Sequence, residues 1–200
     1  MLLQKILNCF NNEKQTYNNY VKKVAIFLIS VFVFAVLLSG YKIFLVIYHP
    51  VKYQNQIKNY SEKYELTASL VASVINVESS YNSKAKSNKD AIGLMQIKLA
   101  TANYLNEINN IEKIDETQLF KVETNLEYGC MYLKYLLSKF DDTNTALCAY
   151  NAGETRVKNW LKNEEYSLDG KTLKIIPFEE TKNYIKKINK NLKFYKKVFN

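Results

Sequence analysis

Glu78 closes an apolar run, "LVASVINVE" (residues 70–78), and a polar, turn-prone stretch then leads to Gly93-Leu94-Met95-Gln96. A carboxyl group at the end of an apolar helix, beside a cleft, is partly desolvated. Desolvation disfavours the charged form and raises the pKa, so the group can hold a proton near neutral pH and release it as a general acid. Cleavage of a glycosidic bond needs such an acid on the leaving oxygen. Position alone suits an ordinary surface residue at a helix end equally well, so the rest of the chain has to decide.

Other chemistries are narrowed by composition. His49 is the only histidine and borders the apolar N-terminal tract, so neither a His-based triad nor a His-ligated zinc site can be built beyond it. Cys9, Cys130 and Cys148 lack metal spacing; the last two stand eighteen residues apart in helical patterns. No cofactor is expected.

The elements that must position Glu78 read as helices almost throughout. Gly (5) and Pro (2) are scarce, which disfavours many tight hairpins. Residues 52–66 form a polar helix or stalk. Thr67 is a suitable N-cap for a helix in which Leu70, Val71, Val74, Ile75 and Glu78 share one side. Residues 79–92 read as a loop or short hairpin. A helix should begin near Leu94 or Leu99 and run to about Glu107. Further helices cover 122–140, 144–153 (ended by Gly153) and 154–161. Residues 167–177 read as a turn with extended flanks, and a last helix closes the chain from 178. The fold class is mainly α with one small irregular or β element.

Residues 24–48 are apolar apart from Lys42, and twenty-five helical residues can cross a hydrocarbon core of roughly 30 Å. Lys22 and Lys23 abut the inner end, while Lys42 and Tyr48 suit the outer interface. A cleaved signal peptide fits less well, because over twenty residues precede the tract and no A-x-A site follows. The expected organisation is a cytoplasmic segment 1–23, a single transmembrane anchor 24–48, a stalk or first helix 49–66 and an extracytoplasmic domain over 56–200.

Of the net charge of +9, residues 52–200 carry +5, and seven lysines with no acid lie between Lys182 and Lys197. No nucleic-acid motif accompanies them, so nucleic acid is not an expected partner. An apolar seam of Ile185, Ile188, Leu192, Tyr195 and Phe199 marks this stretch as a closing helix with a basic face. Attraction to anionic lipid or wall polymer is the sharper reading of that face. Arginine occurs once against 27 lysines, read here as nucleotide-composition bias.

Over roughly residues 56–197 the chain resembles the catalytic domain of soluble-type lytic transglycosylases, in the lysozyme-like superfamily. Glu78-Ser79 matches the family's "ES" motif, followed by Tyr81-Asn82. Gly93-Leu94-Met95-Gln96 matches "GLMQ", with Thr101-Ala102 behind it. Asn125, Gly129 and Tyr132-Leu133 match the "N…G..YL" helix, and residues 149–153 match "AYNAG". Ile176-Pro177-Phe178, Glu180-Thr181 and Tyr184 match the closing "PF.ET..Y". The chain departs from the family pattern at Ser83 (usually Pro), Asp90 (usually Gly) and Lys98-Leu99 (commonly Met-Pro).

The resemblance implies a peptidoglycan lytic transglycosylase whose single carboxylate, Glu78, serves as acid and then base to form a 1,6-anhydro sugar. It implies that Gln96 and Asn151 bond sugar or N-acetyl groups, and that Tyr150 sets its hydroxyl near Glu78. Ser79 would orient the acid or bind substrate. Met95 would pack the loop, Glu180 would line the far wall and either meet substrate there through the stem peptide or form a structural salt bridge, and Tyr184 would pack the core. Expected partners are glycan strands, the membrane and a cell-envelope or secretion assembly. One alternative is a hydrolytic muramidase with Asp90 as water-activating base; another is a non-catalytic glycan-binding scaffold.

Overall fold

The computed structural model describes Met1, residues 19–41 and residues 51–199. Two compact units divide near Tyr48.

The first unit contributes one helix, α1 (Asn19–Tyr41), with 23 residues and none buried. It is long and apolar enough to cross a membrane, and its turns already include Lys22 and Lys23. The second half of the expected tract, with Lys42 and Tyr48, lies outside the described residues, as do Cys9 and His49.

The second unit is built on α2 (Gln54–Lys63), α3 (Ala68–Ser79), α4 (Leu99–Ile108), α5 (Val122–Lys139), α6 (Thr143–Ala152), α7 (Glu154–Leu161) and α8 (Glu179–Phe199). A 3₁₀ turn, Glu116–Phe120, leads into α5 and is closed by a reciprocal cap between Asp115 and Gln118. The element at the centre is α3. Val71, Ala72, Ser73, Val74 and Ile75 are all fully buried, so this helix is apolar all round rather than along one stripe. Each of its larger side chains contributes roughly 1.5–3 kcal/mol by leaving water. A charge at Val74 would have no partner and would unfold the domain.

Around α3 the main cover is α8. Thr181, Tyr184, Ile185, Ile188, Asn191 and Tyr195 form its buried face, at spacings of one to four residues, and the lysines fall between them. Asn191 donates to the Asn76 side-chain oxygen at 2.6 Å. The Tyr195 ring packs 6.2 Å from the buried Tyr81 ring. Ser80 and Tyr81 both have positive φ, which turns the chain sharply at the end of α3.

The small β element lies at β1 (Ala91–Ile92) and β2 (Ile97–Lys98), an antiparallel pair with Ala91 opposite Lys98 and Ile92 opposite Ile97. Gly-Leu-Met-Gln is therefore the hairpin's turn. Of the two helix starts anticipated near this segment, Leu99 is the one adopted, because Leu94 is spent in that turn.

Two local expectations are corrected. Thr67 occupies the N-cap position with extended backbone, yet its hydroxyl makes no capping bond to the helix. Residues 167–177 carry no strand. Asp169 accepts from the Lys171 and Thr172 amides at 2.8 Å each, so a side-chain-directed turn replaces the extended flanks. Cys130 and Cys148 are buried free thiols.

Candidate active site

Glu78 sits in the last turn of α3 and lines a cleft of about 720 Å³ together with residues from the β hairpin, α4, α5, α6, α7 and α8. Gln96, Tyr132, Tyr150, Asn151, Arg156 and Glu180 are among the other walls. Burial pushes the Glu78 carboxyl up to about 7. The Tyr184 hydroxyl opposes that rise and the Glu180 charge adds to it. A carboxyl poised there is populated both as acid and as carboxylate at neutral pH.

Tyr184 is buried beside the acid. Its hydroxyl has no well-formed hydrogen bond to any described residue, so its influence on Glu78 is that of a loosely placed dipole favouring the carboxylate.

The turn opposite Glu78 is held from several sides. Asn125 is buried, and its Oδ1 accepts the Met95 amide at 2.7 Å. Its Nδ2 donates to the Ile92 and Leu119 carbonyls, both at 2.8 Å. Tyr150 donates its hydroxyl to the Met95 carbonyl at 2.8 Å, and Ser79 donates to the Leu94 carbonyl at 2.8 Å. Gly93 (φ 74°) and Gln96 (φ 51°) take left-handed backbone. A side chain at Gly93 would strike Asn125, and one at Gly129 would strike the Met95 thioether. The spaced Asn125 and Gly129 on α5 are thus the mould into which the turn is pressed.

This assigns different work to several residues than the sequence suggested. Tyr150 faces the cleft with Glu78 nearby and donates its hydroxyl to Met95; burial and the Glu78 charge hold its own pKa well above the ordinary value. Ser79 is engaged with Leu94 and is not part of the cleft wall. Gln96 lines the cleft while its amide nitrogen donates to Gly93 at 3.0 Å, which leaves its Oε1 as the group free for a ligand. Asn151 accepts from Thr181 at 2.8 Å and keeps its amide N–H groups for the cleft. Glu180 is exposed and makes no ion pair among the described residues. Met95 is fully buried, as a packing residue should be.

Asp90 stands between two wall residues, Lys89 and Ala91, without lining the cleft itself. It is outside the cleft wall, its side chain is 82% exposed, and its ionic neighbour is Lys86 at 3.9 Å. The wall also includes Thr101, Lys89, Lys98 and Arg156, to which the sequence had assigned no role. The signal for Arg156 was its singularity, read above as coding bias.

Comparison with known proteins agrees with this geometry. The family model described as the transglycosylase SLT domain matches residues 55–173. The soluble lytic murein transglycosylase of Escherichia coli is 34% identical over 142 residues, covering 70% of this chain and 22% of that protein. The membrane-bound lytic murein transglycosylase E of Buchnera aphidicola is 37% identical over 98 residues, covering 44% of this chain and 43% of that one. Among solved structures, an inactive mutant of the lytic transglycosylase Slt from Pseudomonas aeruginosa superposes with a TM-score of 0.67 at 27% identity, covering 77% of this chain and 25% of that one. The 70-kDa soluble lytic transglycosylase of Escherichia coli gives 0.66 at 31% identity, with 75% and 25% covered. The chain thus spans about a quarter or less of these soluble relatives. A family model matching well over half the chain, on a helical lysozyme-like fold, establishes that this protein belongs to the transglycosylase SLT domain family.

Proposed function

We propose that the protein is a membrane-anchored peptidoglycan lytic transglycosylase that cleaves the β-1,4 bond between N-acetylmuramic acid and N-acetylglucosamine. The observation that carries this reading is Glu78: a cleft-lining carboxyl that burial raises to about 7. In the first step its proton passes to the glycosidic oxygen as the C1–O bond breaks and N-acetylglucosamine leaves with its hydroxyl restored. The substrate's own N-acetyl oxygen shields the cation at C1. The Glu78 carboxylate then takes the proton of the muramoyl C6 hydroxyl, whose oxygen closes on C1 to give the 1,6-anhydro end. One carboxyl is reset for the next turnover, and water is not consumed.

Gln96 Oε1 and the Asn151 amide are the groups we assign to sugar and N-acetyl recognition, with Glu180 toward the far wall. Tyr150 and Ser79 act through the Leu94-Met95 peptide, keeping the turn over the substrate. The chain is read as a cytoplasmic segment 1–23, an anchor over 24–48, a stalk over 49–66 and a catalytic domain within 56–200. The length and apolar character of α1, and the membrane-bound relatives, support the anchor.

The decisive experiment is mass analysis of muropeptides released by the full chain in detergent, before and after borohydride. Intramolecular attack yields products one water lighter than hydrolytic ones and inert to reduction. Reducible products that vanish with Asp90→Asn would establish a muramidase instead. Unchanged anhydro products with Asp90→Asn are the expected result, since Asp90 lies outside the cleft wall.

A further inference from the structure

One face of α8 is buried, mainly against α3, and the opposite face carries a single sign of charge. Lys186, Lys190, Lys193 and Lys197 follow one another at intervals of four, three and four residues. At 3.6 residues per turn they fall within an arc of about 60°, and at 1.5 Å per residue they run about 16 Å along the helix. All four are exposed. None pairs with an acid among the described residues, whereas Lys182, one turn earlier, meets Glu179 at 3.4 Å. The acids of this helix, Glu179 and Glu180, both stand in its first turn. Lys187 and Lys196, also exposed, flank the row.

Like charges at these spacings repel one another, so the row costs the helix stability. Interspersed acids would serve solubility as well and hold the helix better. None of the four lysines lines the Glu78 cleft. A row of point charges on the outer face of a helix suits a broad anionic surface rather than a shaped ligand. The apolar side of α8 is already occupied by the core, so contact would be with headgroups and would not sink the helix among acyl chains.

We propose that the lysine row of α8 docks the domain on the anionic lipid surface of the membrane that anchors the chain. This inference rests on the anchor reading of residues 24–48 above. A domain tethered to a bilayer meets its surface at high effective concentration, so attractions too weak to recruit a free protein suffice to orient a tethered one. An anionic wall polymer, which is not tied to this chain, has no such advantage. Tyr184, beside Glu78, belongs to the same helix, so docking through the row sets the attitude of the cleft to the bilayer.

The test uses the full chain with Cys9→Ser and Asn183→Cys, which leaves one accessible thiol beside the row because Cys130 and Cys148 are buried. A fluorophore there reports energy transfer to a headgroup acceptor in reconstituted vesicles. Two compositions are compared: phosphatidylcholine alone, and three parts phosphatidylcholine to one part phosphatidylglycerol. Transfer should be higher in the anionic vesicles and fall to the neutral level in molar salt. Each lysine at an anionic surface favours contact about fivefold. Lys186→Gln, Lys190→Gln, Lys193→Gln and Lys197→Gln together should therefore lower the docked-to-undocked ratio by more than about tenfold. Lys84→Gln, Lys113→Gln, Lys162→Gln and Lys174→Gln, the same change of charge at exposed sites off α8, should lower it far less. Equal transfer from the two compositions overturns the proposal. So does a difference that survives the four row substitutions in folded protein, or that is lost equally with the scattered set. Equal transfer together with row-dependent binding of soluble polyglycerol phosphate would assign the row to wall polymer in place of lipid. Failure to co-float with either vesicle would defeat the anchor reading itself, and the proposal with it.

Discussion

The Oδ1 of Asn125 accepts the Met95 amide at 2.7 Å, across thirty residues of sequence, while the same side chain donates to Ile92 and Leu119. One buried amide on α5 thus fixes the turn that faces Glu78 and ties it to the 3₁₀ segment. Asn125→Ala would leave Met95 N–H and two carbonyls unpaired in the core. At about 1–3 kcal/mol for a buried unpaired group, the loss should reach at least about 3 kcal/mol. Chemical denaturation measures it, and a loss below 1 kcal/mol would mean that the turn is held without Asn125.

Gly129 makes the complementary case through volume. An alanine there collides with the Met95 side chain, so Gly129→Ala should cost about 1–3 kcal/mol by overpacking. Met95→Ala removes the two obstructing atoms Sδ and Cγ, but not the Cβ at 2.7 Å, and so relieves part of the collision at its own cavity cost. The double variant should therefore be more stable than the sum of the single losses predicts. Strict additivity in a thermal or denaturant cycle would show that the two residues do not meet as described.

Glu78→Gln preserves shape but cannot transfer the proton, so peptidoglycan clearing should fall by about 10²–10⁴-fold while folding persists. The same carboxyl links folding to pH. Its folded pKa is raised from 4.5 to about 7, so the native state holds a proton that the unfolded chain releases over that interval. Its contribution to stability is full below 4.5 and is lost as pH rises to about 7. The Glu78→Gln protein should lack that decline. Parallel stability–pH curves for the two proteins over this range would contradict the assignment.

Glu180 supplies a separable part of the electrostatics. Its charge raises the Glu78 pKa, so Glu180→Gln should lower that pKa and move the alkaline limb of kcat/KM to lower pH. Burial is the larger cause, so Glu78 should remain above the ordinary carboxylate range. A pH–rate profile reads both points; an alkaline limb that stays in place would remove Glu180 from the electrostatics of the acid.

Topology is tested by labelling intact cells with a membrane-impermeant thiol reagent. Cys9 should be protected until lysis, and a cysteine introduced at Lys58 should react. Labelling of Cys9 in intact cells would reverse the proposed orientation.

Glu78, the helical class and the motif order were legible because they rest on local pattern. Apolar spacing marks α3, few glycines and prolines favour helices, and an acid ending an apolar run is visible in one dimension. The sequence also supplied Asn125, Gly129 and Tyr150 as matched positions without their physical work. That work spans distances the linear pattern does not encode: Asn125 meets Met95 thirty residues away, and Tyr150 meets the same peptide from fifty-five. Only the tertiary structure could bond Tyr150 to Met95 beside the acid, seat Ser79 on Leu94 and leave Asp90 in solvent. It alone could set the one arginine on Phe178 in the cleft. Side-chain identity fixes which chemistry is available. Packing fixes which groups are desolvated, which are already bonded and which remain free for substrate.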